Sequence, residues 1–178
     1  PRRQKLCVRG LTQKNNIKNE DDIRTKFINC AAIETHFAWH KYKKDNVNAE
    51  HELNSGIIPH EFKKQMYYTF GGFRDIFFGT DISSCKYIKR TSNTIKSKLG
   101  DKTTTKEGEK HIDDNKKRQA WWNEHGKEIW EGMLCALEKT LDDKKKLNDK
   151  YKYESVTFGD NSGPNLQTFS SRPQFFRW

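Results

Sequence analysis

The sequence predicts a mainly α-helical, disulfide-tied bundle with long polar loops. Three observations carry this. Apolar residues recur at the helical period in three long stretches. Aromatic side chains make up 12% of a chain that is only 33% hydrophobic, so a few large groups must build a narrow core. Four scattered cysteines, Cys7, Cys30, Cys85 and Cys135, include no CxxC pair and no histidine at zinc-finger spacing. An even, scattered set reads as a disulfide framework of an oxidising compartment, with its pairing left open. A length of 178 residues suits one domain or part of a larger one.

Residues 1–18 read as an extended basic lead-in. "NEDD" (Asn19 to Asp22) then supplies an N-cap and first-turn acids. A helix from Ile23 to about Lys43 follows, with Ile23, Phe27, Cys30, Ala31, Phe37 and Ala38 on one face and Ile28, Ala32 and Trp39 on a second. Two apolar stripes imply contact from two sides. Glu34 falls within the first face, where a carboxylate needs a cation or several donors; Arg2, Arg3 and Arg74 are the candidates.

A polar connector containing "NSG" leads to Pro59, suited to the first turn of the next helix. In "EFKKQMYYTFGGFRDIFFG" the residues Phe62, Met66, Phe70, Phe73, Ile76 and Phe77 share one face. Gly71 and Gly72 fall opposite, where they cost helix stability and permit a close backbone approach or a kink. Gly79 is the expected C-cap. A shorter helix with Ile88, Ile95 and Leu99 stops at Gly100. Residues 101–118 carry six lysines and arginines and no aromatic, and read as a mobile loop.

The next helix, from about Asp113 or Lys116 to Leu141, contains "AWWNEHGKEIWEGMLCAL". Adjacent helical side chains point ~100° apart, so Trp121 and Trp122 need different neighbours. Trp122, Ile129, Trp130, Met133, Leu137 and Leu141 form the main face. Trp121 and Cys135 form another, with Gly132 between them, so this helix too is expected to be clamped from two sides, with Cys135 tied to a neighbour. Residues 142–172 are polar, with a turn at "GDNSGP", and "RPQFFRW" ends the chain.

No phosphate-binding loop, nucleophile elbow or zinc-protease motif occurs, so no catalytic residues are assigned and no cofactor is expected. His36 and His40 have a spacing that can hold a metal, yet without a third ligand they read as surface or packing residues; no metal site is assigned. A net charge of +10 favours polyanionic partners or an acidic protein face. The binding candidates are two basic clusters: Lys86, Lys89 and Arg90, and Lys116, Lys117 and Arg118. No apolar run is long enough to span a bilayer, and "PRRQKLC" does not resemble a signal peptide.

Five stretches in order, "PRRQKLC", "AAIET", "MYYTFGGFRDIFFGTDI", "WWNEHGKEIWEGMLCAL" and "RPQFFRW", resemble the Duffy-binding-like domains of the malaria parasite's erythrocyte membrane protein one adhesins. "NCAAIETHFAWHKYKKDN" and "GTDISSC" are most similar to the beta subtype. "FGGFRDI" departs from the family's usual acidic residue and aromatic at this point. The resemblance implies the N-terminal part of one such domain: a lead-in and first helix over about 1–60, a helical core over 61–141, and a loop and next helix start over 142–178. It implies an adhesin without catalysis on the infected red cell's outer face, within a larger membrane-anchored protein. A host protein receptor, such as intercellular adhesion molecule one, is the expected partner. A sulfated glycosaminoglycan is the alternative, and a nucleic-acid role the remote one, with no nucleic acid expected. Cys7, Cys30, Cys85, Cys135, Glu34, Trp121, Trp122 and Trp130 are then structural.

Overall fold

The computed structural model describes residues 6–13, 16–100, 107–141, 147–159 and 162–177, with the side chains of 107–113 outside that description. The described helices are α1 (Arg9–Thr12), α2 (Glu20–Asp45), α3 (Ala49–Asn54), α4 (His60–Phe78), α5 (Lys86–Leu99), α6 (Glu107–Glu138), α7 (Leu147–Lys150) and α8 (Leu166–Ser171). A 3₁₀ turn, Gln174–Arg177, closes the chain. One antiparallel bridge, Thr157 to Asn165, is the extended pairing among the described residues.

Local chemistry sets the helix ends. Asn19 caps α2, its side-chain oxygen accepting from the Asp22 N–H at 2.8 Å. Pro59 occupies the N-cap of α4 rather than its first turn, and Gly79 ends that helix with φ +74°. Gly100 follows α5.

Helix α4 is the centre, in contact with α2, α5, α6, α8 and the 3₁₀ turn. Its expected face, Phe62, Met66, Phe70, Phe73, Ile76 and Phe77, is buried throughout. Its opposite side is buried as well, because Tyr67 packs on Trp130, Phe158 and Phe169. Helix α6 runs alongside α2 in the same direction: Arg24 pairs with Glu128, and Ile28 sits against Gly132. A side chain at residue 132 would meet Ile28 Cγ2 at 2.8 Å, so glycine sets the close approach of the two helices.

Both tryptophans of the adjacent pair are buried, and Phe77 accounts for both. Its ring stacks on Trp121 (centroids 4.6 Å apart, 22°) and meets Trp122 at 5.2 Å. Trp122 also touches Phe70 and Phe78. Trp130 donates its indole N–H to the Tyr151 carbonyl at 2.8 Å, while the Tyr151 hydroxyl accepts from the Ile58 N–H at 2.9 Å. Tyr151 is thereby fixed to the core.

Several expectations are corrected. Residues 107–118 of the expected loop are the first turns of α6, while 101–106 lie outside the described residues. The polar composition hid this helix because its anchors are polar: Asp114 and Arg118 are buried. Short helices α1, α3, α7 and α8 stand where lead-in, connector and polar loop were expected. On α2, Phe37 is 62% exposed and Trp39 only 1%, so the buried face continues through Glu34, Thr35 and Trp39. Cys135 is exposed, so it does not share the buried environment of Trp121.

Candidate functional site

Helix α5, "KYIKRTSNTIKSKL", has five basic residues and no acidic one. Ile88, Thr91, Ser92 and Ile95 bury its inner side, and Ser92 Oγ donates to the Ile76 carbonyl at 2.5 Å. Its charged side is thereby held outward on a rigid element. Lys86, Arg90, Thr94 and Lys98 recur every four residues and so line one side over ~18 Å. Lys86, Lys89, Arg90, Asn93, Thr94 and Ser97 line an open groove of about 510 Å³. On the other flank, Arg90, Thr94 and Lys98 meet Thr12, Gln13 and Asn16 around a cavity of about 330 Å³. Arg90 donates to the Thr12 carbonyl at 2.8 Å and lies 5.5 Å from the exposed Tyr87 ring, with Lys86 at 5.3 Å. The first basic cluster is therefore a surface of ammonium, guanidinium, amide and hydroxyl groups. Lys98, Thr94 and Tyr87 belong to it too; the four-residue spacing was the signal for the first two.

The second cluster does not hold together. Lys116 is exposed and Lys117 half-buried, but Arg118 is buried. Its guanidinium donates to the Phe78 carbonyl at 2.9 Å and to Asn115 Oδ1 at 2.7 Å. Burial lowers its proton affinity, with Asp114 acting in the opposite sense. Arg118 thus satisfies a last-turn carbonyl of α4 and does not share the exposure of Lys116.

Of the residues expected to be structural, Glu34, Trp121, Trp122, Trp130 and Cys30 are buried, while Cys7 and Cys135 are exposed. Glu34 is buried and accepts from the Cys7 backbone N–H at 2.8 Å. Arg74 goes elsewhere: it donates to the Ser170 carbonyl at 3.4 Å and lies over the Phe78 ring at 4.5 Å. Arg2 and Arg3 are outside the described residues. The buried ion pair that sequence did not indicate joins Asp75 to Arg177, with Thr80 Oγ1 donating to the other Asp75 oxygen at 3.1 Å. Burial raises the Asp75 carboxyl above its ordinary range, opposed by Arg177 and Thr80.

Cys7 and Cys135 are exposed and Cys85 is half-buried. Cys30 is buried, and burial followed by the charge of neighbouring Cys7 pushes its pKa up to about 11. Among the described residues no group of three or more His, Cys, Asp or Glu converges as a metal site, and no helix is long and apolar enough to cross a membrane.

Residues 1–177 match the Duffy binding domain as a family. The chain belongs to the Duffy binding domain family. This Duffy binding domain segment is 27% identical over 187 aligned positions to the Duffy receptor beta form of Plasmodium knowlesi, covering 99% of the chain and 13% of that protein. It is 26% identical to the alpha form from the same organism over 187 positions, covering 99% of the chain and 14% of the relative. With the Duffy receptor of Plasmodium vivax (strain Salvador I) it shares 26% identity over 152 residues, 79% of the chain and 12% of the relative. The chain thus spans roughly an eighth of the length of these curated relatives. The helical architecture expected of the family is the one observed.

Proposed function

We propose that this chain is part of an extracellular adhesin that binds a host-cell receptor and catalyses no reaction. The observation that carries the reading is the family match over residues 1–177, together with relatives that are themselves named Duffy receptors. The first choice of partner is a host surface protein, with intercellular adhesion molecule one the specific candidate suggested by the beta-subtype resemblance. The parent protein would be anchored in the infected red cell's membrane through parts outside this chain. A rigid helical scaffold supports this reading, because tight recognition needs groups ordered before binding.

The face of α5 favours a second reading, a sulfated glycosaminoglycan. Its cationic and hydroxyl groups suit regularly spaced sulfates, and no acid on the helix opposes them. Ionic strength separates the two. Glycan retention should collapse between low and moderate salt, where screening acts on exposed charge pairs. Binding centred on packed aromatic anchors should change little. The experiment is to measure the complete domain against immobilised host receptor proteins and heparin at both salt levels. Persistent receptor binding supports the protein reading, and loss of every signal at moderate salt overturns it. Free-thiol counting on exported protein is a second check. The even, scattered cysteines read as a disulfide framework of an oxidising compartment, so four free thiols would contradict export.

A further inference from the structure

Helix α2 carries an imidazole pair that neither the core nor the α5 surface uses. His36 and His40 are one turn apart on the exposed side of this 26-residue helix. Their rings are in contact, with centroids 4.4 Å apart and planes at 66°. Packing of α2 on both α6 and α4 fixes the two backbone positions, so only side-chain torsions remain to be set. Two imidazoles on successive turns can reach one ion at the ~2.0–2.1 Å that metal–nitrogen bonds require.

Lys43, Lys44 and, from α3, Glu50 are the charged neighbours of His40, and Glu50 is engaged by Lys43 Nζ at 2.6 Å. Metal binding needs neutral imidazoles. No third His, Cys, Asp or Glu joins the pair among the described residues, which leaves an open, two-ligand arrangement. Nitrogen donors select zinc, copper or nickel, whereas magnesium and calcium require oxygen.

We infer that His36 and His40 form a two-imidazole site for a divalent transition-metal ion (zinc, nickel or copper), with water in the remaining positions. This goes beyond the sequence reading, which set the pair aside for want of a third ligand. Ring contact on a rigid helix shows that the two side chains reach each other, which spacing alone did not show. The site is independent of the receptor reading.

The test is calorimetric titration of the 178-residue chain with Ni²⁺, alongside His36→Ala, His40→Ala and the exposed control His51→Ala. Both site residues are solvent-facing helix positions where alanine is favourable, so the variants should keep their circular dichroism. One Ni²⁺ per chain is expected at the pair, and losing either imidazole should weaken it by about tenfold or more, because the second, intramolecular metal–nitrogen bond is then lost. His51→Ala should bind as wild type, and Mg²⁺ should give no saturable heat. Electron paramagnetic resonance of the Cu²⁺ form should show two equatorial nitrogens. Absence of saturable Ni²⁺ binding at millimolar metal would overturn the inference. So would wild-type affinity in both histidine variants, or an affinity abolished instead by Cys7→Ser, Cys85→Ser or Cys135→Ser.

Discussion

The Arg177 guanidinium lies directly against the backbone of Gly71, where a β-carbon would collide with it. The same guanidinium pairs with buried Asp75 one turn along α4. Glycine in a helix interior costs ~1 kcal/mol relative to alanine, and here that cost admits the ion pair. Gly71→Ala should therefore destabilise the fold by about 2–4 kcal/mol, close to the cost of breaking a buried pair. Combining it with Arg177→Ala should give far less than the sum, since both changes remove one interaction. Denaturant melts of the two single variants and the double variant check this. Additive losses would mean that the contact is incidental.

Phe77 lies between Trp121 and Trp122, so the two adjacent indoles share one partner. Trp122→Ala should lower stability by about 3–5 kcal/mol, the usual cost of emptying a large aromatic site. A melting temperature within error of wild type would refute the assignment of Trp122 to the core.

Arg118 and Lys116 belong to the same sequence cluster but to different environments. Arg118→Met should cost about 1–3 kcal/mol by leaving the Phe78 carbonyl and Asn115 without their donor. Lys116→Ala should leave the melt unchanged, because Lys116 is exposed. Thermal melts of both variants distinguish a helix-end donor from a surface charge. A stable Arg118→Met protein with reduced heparin retention would instead restore Arg118 to an anion site.

The bridge from α2 to α6 has a predictable pH dependence. Arg24 donates to both Glu128 oxygens, at 2.5 and 2.8 Å, and this hydrogen bonding chiefly holds the Glu128 carboxyl below its ordinary range. A carboxyl with a depressed folded-state pKa contributes stability above its unfolded value, near ~4.3, and loses it as pH falls through the folded one. The pair is partly solvated, so Glu128→Gln should cost no more than about 1 kcal/mol at neutral pH. The difference from wild type should vanish at pH values well below the carboxylate range. Urea melts across pH measure it, and a difference that grows on acidification would contradict the assignment.

Apolar periodicity made the core of this fold legible. The inward face of α4 and most of that of α6 follow from helical spacing alone, because large aromatics at three- and four-residue intervals have few other uses. What escaped was organised by polar contacts. The start of α6 has buried Asp114 and Arg118 where an apolar stripe was sought, and Lys96 approaches Asp114 at 3.6 Å from α5. Phe37, expected on the first face, is exposed while Trp39 of the second stripe is buried, because α2 has neighbours on more than one side and periodicity alone does not say which stripe they cover. On the candidate surface, Lys86, Lys89 and Arg90 were visible as charges. That they stand on one rigid helix while Arg118 is spent on a carbonyl required coordinates.

Receptor binding is the central claim, and direct capture tests it. The complete domain containing this chain should be presented to immobilised host surface proteins, including intercellular adhesion molecule one, with heparin in parallel. We predict saturable binding to a protein receptor that survives moderate salt and is lost when the domain is unfolded by denaturant. Binding to nucleic acid with a steep salt dependence, and to no host protein or glycan, would contradict the account.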